Sequence, residues 1–161
     1  MFTMPNYPYL PQGREIKHVP ITNEFMQLAK KVADEESTDG MNPTGSVIVR
    51  DGIILGKSAN KSPVGDIKKL YQLHKNGLCI RRILKIKTGQ KYWACPGCAK
   101  PHHHSEQGAI RNAKQNGHDT SGADLYLWGH WWCCEHCWNK IIEAGIRDVY
   151  LLDTSERDFG R

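Results

Sequence analysis

Two short patterns, each at the start of a helical stretch, constrain this chain more than anything else in it. His104-Ser105-Glu106 opens one helix, Cys134-Glu135-His136-Cys137 opens the next, and a strand lies between them. Alone, each has a plain structural reading: a Cys-x-x-Cys is as often structural as catalytic, and His102-His103-His104 alone reads as a solvated loop. Together they make a metal site. A catalytic zinc takes three protein ligands and leaves a fourth position for water. A Cys-x-x-Cys turn at a helix N-terminus aims both sulfurs at one ion, and the positive helix end favours their thiolate form. His104 completes the trio if the two helices lie side by side. Glu106, two residues on, is too close in sequence to share the metal comfortably, and is placed to move protons. Residues 107–132 separate Glu106 from Cys133, enough for a helix, loop, strand and turn.

The rest of the chain supplies the elements that such a site needs. Ile21–Glu36 reads as a helix, with Thr22 as N-cap and Phe25, Leu28, Ala29 and Val32 as its apolar stripe. Two β-rich runs, Ser46–Arg50 and Ile53–Lys57, flank Asp51-Gly52, a strong hairpin signal. Residues 66–92 read as helix in part and then loop, broken at Thr88-Gly89. A helix from Ser105 to about Asn116, a strand over Asp124–Trp128, a helix over Glu135–Ala144 and a strand over Arg147–Leu152 follow. Strands separated by such helices imply right-handed crossovers and a partly parallel sheet. The expected fold is a single α/β domain, a three-layer α-β-α sandwich with a mixed sheet. Residues 1–20 are expected as an extension and 153–161 as a peripheral tail.

Composition narrows the function classes. The chain's 161 residues, 39% hydrophobic and 24% charged, suit one soluble globular domain. No run approaches the roughly 20 apolar residues needed to span a bilayer, and Met1–Gly13 lacks the apolar core of a signal peptide. A cytoplasmic address without membrane contact is the expectation. Of the net +5 charge, much lies between Ile67 and His104, which hold Lys68, Lys69, Lys75, Arg81, Arg82, Lys85, Lys87, Lys91 and Lys100 and no acid. Such a field attracts phosphate, or is simply a solvated basic face. The six cysteines, Cys79, Cys95, Cys98, Cys133, Cys134 and Cys137, are clustered, and in a reducing compartment read as ligands before disulfides.

His-x-Glu followed by Cys-x-x-Cys resembles the signature of the zinc-dependent cytidine and nucleotide deaminases, and more of the chain is similar to it. Asn42–Gly52 resembles that superfamily's first hairpin. Leu78–Gly89 leading to His104–Ile110, and Gly122–Tyr126 with Ile141–Ile146, look like the deoxycytidylate deaminase branch. Ala59–Gly65 is similar to that branch's Asn-Gly-x-Pro-x-Gly loop, which touches the nucleotide. The similarity covers about residues 22–152. It implies zinc held by His104, Cys134 and Cys137, Glu106 as catalytic acid–base, Asn60 and Asn42 near the nucleotide, Ala109 shaping the pocket floor, and self-association as dimer or hexamer. Four departures concern the substrate more than the metal. Cys133 stands where the family has Pro, and Gly108 where it has Asn. Trp128–Cys133 is longer and more aromatic, and Met41–Thr44 lacks the expected basic residue.

The first expectation is a free-nucleotide enzyme converting dCMP to dUMP, with the basic stretch on the phosphate. The second is a deaminase of a base in single-stranded nucleic acid, or of a free nucleoside, in which Trp131 and Trp132 stack on the base. A third, non-enzymatic reading makes Cys95-x-x-Cys98 and Cys134-x-x-Cys137 the halves of a zinc ribbon. Residues 99–133 between them exceed the roughly 15–20 usual for such modules, and a ribbon has no use for Glu106. Cys95 and Cys98, with Cys79 and either His102 or His103, are instead expected to hold a second, structural zinc.

Overall fold

The computed structural model describes residues 5–160, so residues 1–4 of the expected extension and residue 161 of the tail lie outside the described residues. Five strands form one sheet in the order β1-β5-β4-β2-β3: β1 (Ile16–Val19), β2 (Gly45–Arg50), β3 (Ile53–Ala59), β4 (Asp124–Trp128) and β5 (Asp148–Leu152). β2 pairs antiparallel with β3 and β4, whereas β4–β5 and β1–β5 are parallel. The sheet is mixed, as expected. Asp51 and Gly52 both take positive φ, the two-residue turn whose twist matches the β2–β3 hairpin.

Alternation along the central strands assigns the two faces. Ile48, Leu125, Leu127, Val149 and Leu151 pack with Ala109, Ala113, Cys137, Trp138 and Ile141 of α4 (Ser105–Gln115) and α5 (Glu135–Glu143). Val47, Val49, Tyr126 and Leu152 turn the other way, onto Met26 and Ala29 of α1 (Glu24–Glu36). Period-2 strands between helices that each bury one stripe make three layers.

Three local expectations change. α1 is capped by Asn23, not Thr22: the Asn23 side chain accepts from the amides of Phe25 and Met26, both at 3.0 Å, and Met26 joins the buried stripe while Phe25 and Leu28 lie at its margin. The expected N-terminal extension contributes β1, because an edge position beside β5 gives its four residues a ladder that a short run cannot announce by itself. The tail forms α6 (Ser155–Phe159), and the Phe159 ring packs edge-on against Trp128 at 5.2 Å.

The basic segment folds into α2 (Lys68–Lys75) and the single turn α3 (Ile80–Ile83), followed by two 3-10 turns, Tyr92–Ala94 and Pro101–His103. The chain then enters α4. That helix lies so close on β3 that a Cβ on Gly56 would stand 2.5 Å from the Ala109 carbonyl oxygen and the Ala113 amide nitrogen. Only glycine permits this approach, and it fixes where the start of α4 falls.

Candidate active site and metal centre

His104 is the N-cap of α4 and Cys134 the N-cap of α5, and neither side chain makes a capping hydrogen bond. Ser, Thr, Asp or Asn usually caps a helix start by bonding its free amides. Here the two cap side chains turn toward each other instead. His104 Nδ1 lies 3.5 Å from both Cys134 Sγ and Cys137 Sγ. A tetrahedral zinc about 2.3 Å from sulfur and about 2.0–2.1 Å from nitrogen requires S···N edges of about 3.6 Å. The residues therefore fit the ion in both chemistry and spacing. With Cys134 in the cap and Cys137 one turn on, the positive end of α5 faces both sulfurs.

Contact with Cys137 and burial push the Cys134 thiol up, and contact with Cys133 together with burial does the same to Cys137. Burial opposes charge on His104, but contact with Cys134 and the nearby Glu106 outweighs it and raises the imidazole. Crowded buried thiols hold their protons unless a cation compensates them, and a coordinating thiol is deprotonated outright. Gln107 Nε2, 3.7 Å from Cys137 Sγ, adds a donor on the outer side of one sulfur.

Glu106 sits beside the trio, buried and outside the ligand cluster. One carboxylate oxygen accepts from Ser105 Oγ at 3.2 Å, and Ser105 Oγ in turn meets Ser46 Oγ of β2 at 2.8 Å. The other faces Cys133, whose thiol points to it at 3.6 Å. Cys133 is fully buried, burial first of all pushes its thiol up to about 12, and it therefore remains a neutral donor. The thiol that stands in place of the family's Pro is thus next to the carboxylate, outside the three-ligand cluster. Ser46, Ser105 and Tyr92, whose ring packs edge-on to His104 at 4.7 Å, carried no sequence signal.

A pocket opens over this group. Among its lining residues are Asn42, Asn60, Tyr92, Trp131 and Trp132, together with Arg81 and Arg82. Asn42 is one of the lining residues. Asn60 also lines it, but its side chain is committed: it accepts from Thr44 N at 3.0 Å and donates to Asn42 O at 2.8 Å. It holds the loop before β2. Ala109 does not line the pocket; it is buried in the core where α4 meets β3. It lies one turn past Glu106, on the sheet-facing stripe. Trp132 is 3% exposed and mostly core, while Trp131 packs on Tyr7 with ring centres 6.5 Å apart.

The second cluster forms with one change of ligand. Cys79, Cys95 and Cys98 converge, and the fourth group is His74 from the end of α2, not His102 or His103. Those two stand exposed on the last 3-10 turn, ring against ring at 5.1 Å. All six cysteines are free thiols. Among the described residues no helix is long and apolar enough to cross a membrane.

Residues 20–153 match the family described as the cytidine and deoxycytidylate deaminase zinc-binding region, and the chain belongs to that family. As a member it is a zinc-dependent hydrolytic deaminase. Solved structures similar to it include the dCMP deaminase of cyanophage S-TIM5, 20% identical over 84% of this chain and 89% of that one, with a TM-score of 0.49. The guanine deaminase of Bacillus subtilis is 22% identical over 86% of this chain and 71% of its own, at 0.46. The diaminohydroxyphosphoribosylaminopyrimidine deaminase/5-amino-6-(5-phosphoribosylamino)uracil reductase of Thermotoga maritima is 23% identical over 79% of this chain, at 0.47, and the chain spans 28% of its length. None of these likenesses bears on the substrate. No curated protein matches the sequence.

Proposed function

We propose that the chain deaminates a cytosine nucleotide, dCMP before others, to the uracil form with release of ammonia. The observation that carries the nucleotide reading is the shared pocket: Arg81 and Arg82 line the same cavity as His104, Cys134 and Glu106. The loop before β2, where a basic phosphate contact is missing, is one wall of that cavity. In this reading two guanidiniums from α3 take the phosphate, the group for which their planar donor fork is suited.

His104, Cys134 and Cys137 would hold the zinc. When bound there it supplies Lewis acidity, which brings a water's deprotonation into the neutral range. Glu106 takes that proton and delivers it to ring N3, which leaves C4 open to attack by the water oxygen. Glu106, ionised again, then takes the proton of the new C4 hydroxyl and hands it to the departing amino group as the C4–N4 bond breaks and the C4 carbonyl forms. The net change is addition of water and loss of ammonia. Ser105 and Cys133 hold the carboxylate at its two oxygens, so it stays aimed at the reacting ring throughout. Trp131 and Tyr92 exclude solvent from one side, and Asn42 borders the sugar.

The test is ultraviolet-monitored turnover of dCMP by the zinc-loaded chain beside Glu106→Ala. Turnover by the native chain alone supports the reading, and Arg82→Ala should then raise KM with little change in kcat. No turnover of dCMP by the zinc-loaded chain overturns it; cytosine in a single-stranded oligonucleotide is the next substrate to try. Self-association, as dimer or hexamer, belongs to the same proposal and is checked by light scattering on the eluting protein.

A further inference from the structure

We infer that residues 74–98 build a second, closed zinc site, His74–Cys79–Cys95–Cys98, which holds the arginine rim of the catalytic pocket in place. Four observations carry it. All four side chains are at most 2% exposed, and their donor atoms lie within 4.8 Å of one another. The two edges that are resolved individually, Cys79 Sγ to Cys98 Sγ at 3.6 Å and Cys98 Sγ to His74 Nε2 at 3.5 Å, match a tetrahedron around zinc, whose S···S and S···N edges are about 3.8 and about 3.6 Å. Neither distance is that of a disulfide, about 2.05 Å. Four protein ligands leave no position for water, which makes the site structural.

The surroundings are those of a metal site as well. Asp39 Oδ1 lies 3.3 Å from His74 Nδ1, within ion-pairing distance though off the hydrogen-bond axis. A carboxylate behind a ligating imidazole fixes which nitrogen faces the ion. Arg81 brings a guanidinium nitrogen to 3.7 Å from Cys98 Sγ, offsetting the net negative charge of three thiolates on a divalent ion. The Cys95–Cys98 turn also approaches His74 too closely for any side chain at its third position: a Cβ on Gly97 would stand 2.6 Å from the imidazole ring.

The site is wired to the pocket. Asp39 also accepts from the amides of Met41 at 3.2 Å, Asn42 at 3.1 Å and Ala99 at 3.2 Å, and the Ala99 backbone hydrogen-bonds the His104 side chain. Cys79 caps α3, whose first turn is Ile80-Arg81-Arg82-Ile83. Holding Cys79 therefore holds both arginines at the pocket rim. This rim role rests on the nucleotide reading above; the metal site does not.

Zinc analysis of the native chain should give two ions per chain. Cys95→Ser/Cys98→Ser and Cys134→Ser/Cys137→Ser should each lose one. Cobalt exchanged into the latter variant should show the charge-transfer absorption of three thiolates, and into the former that of two. One zinc in the native chain, with the Cys134→Ser/Cys137→Ser variant metal-free, overturns the second site; so does a Cys95→Ser/Cys98→Ser variant that keeps both ions. If only the latter pair fails to fold, the native count and the cobalt spectrum decide. A Cys134→Ser/Cys137→Ser variant that keeps both ions counts against the catalytic site alone. Where dCMP is turned over, loss of the second ion should raise KM about tenfold for dCMP and leave deoxycytidine, which lacks the phosphate, within about twofold. Equal rises for both overturn the rim role.

Discussion

Glu106 is held at both carboxylate oxygens, by Ser105 on one and Cys133 on the other. If the carboxylate carries the protons, Glu106→Gln keeps size and polarity but removes the base. Its kcat for the accepted cytosine substrate should fall by about 10²–10⁴ while bound zinc is unchanged. Equal loss of zinc would make Glu106 a ligand or a structural prop instead. Ser105→Ala is a finer test. It removes a hydroxyl from one carboxylate oxygen, and hydrogen bonds to charged groups contribute about 1.5–3 kcal/mol. A fall in kcat on the order of tenfold with KM held marks a positioning role; matched changes in kcat and zinc content would point to collapse of the site. Of this group only the ligands and Glu106 were legible in the sequence, because their types and spacing are those of metal chemistry. Ser105 and Ser46 become partners only when β2 passes beside the start of α4, and nothing in their own surroundings marks that; Cys133 stands out in place of the family's Pro, but its contact with the carboxylate follows only from the fold.

The elements explain why that start of α4 is where it is. Long periodic stretches were readable: α1, the β2–β3 hairpin, α4, β4, α5 and β5 all occur within a few residues of their expected limits. The pieces that were not readable are short and held by partners distant in sequence. β1 exists because β5 offers an edge, and His74 meets cysteines from two other turns, so its role lies in no local pattern. His102 and His103 were the nearer candidates along the chain, but the Pro101–His103 turn points them to solvent. The close approach of α4 to β3 leaves no room for a side chain at Gly56. Gly56→Ala inserts a methyl against the α4 backbone, and overpacking of this kind costs about 1–3 kcal/mol. The melting temperature should fall by roughly 2–12 °C for a chain of this size, with kcat lowered as His104 and Glu106 shift. An unchanged melting temperature would mean that α4 can move off the sheet freely.

The whole molecule divides unevenly in what holds it. Both faces of the sheet are covered by apolar helices, but residues 66–100 have almost no core of their own: their buried apolar cluster is Cys79, Cys95 and Cys98 with Met41 beside it. Leu73, Leu78, Ile80, Ile83, Leu84 and Trp93 remain exposed. A segment that buries so little apolar surface cannot offset its ordering entropy by packing, so under the second-site proposal the ion is its staple. An ion that binds the folded form alone stabilises it by mass action. Chelation should then act in two places with different signatures. Activity is lost with the ion at His104, Cys134 and Cys137. Protease sensitivity appears within residues 66–100 with loss of the other ion, while β2, β4 and β5 stay protected. Limited proteolysis read by mass spectrometry, before chelation, after it and after zinc is restored, follows both. Cuts confined to that segment and reversed by zinc are the expected result. An identical cleavage pattern in all three states would show that packing alone orders the segment, and the rim arginines would then need another explanation for lining the same pocket as Glu106.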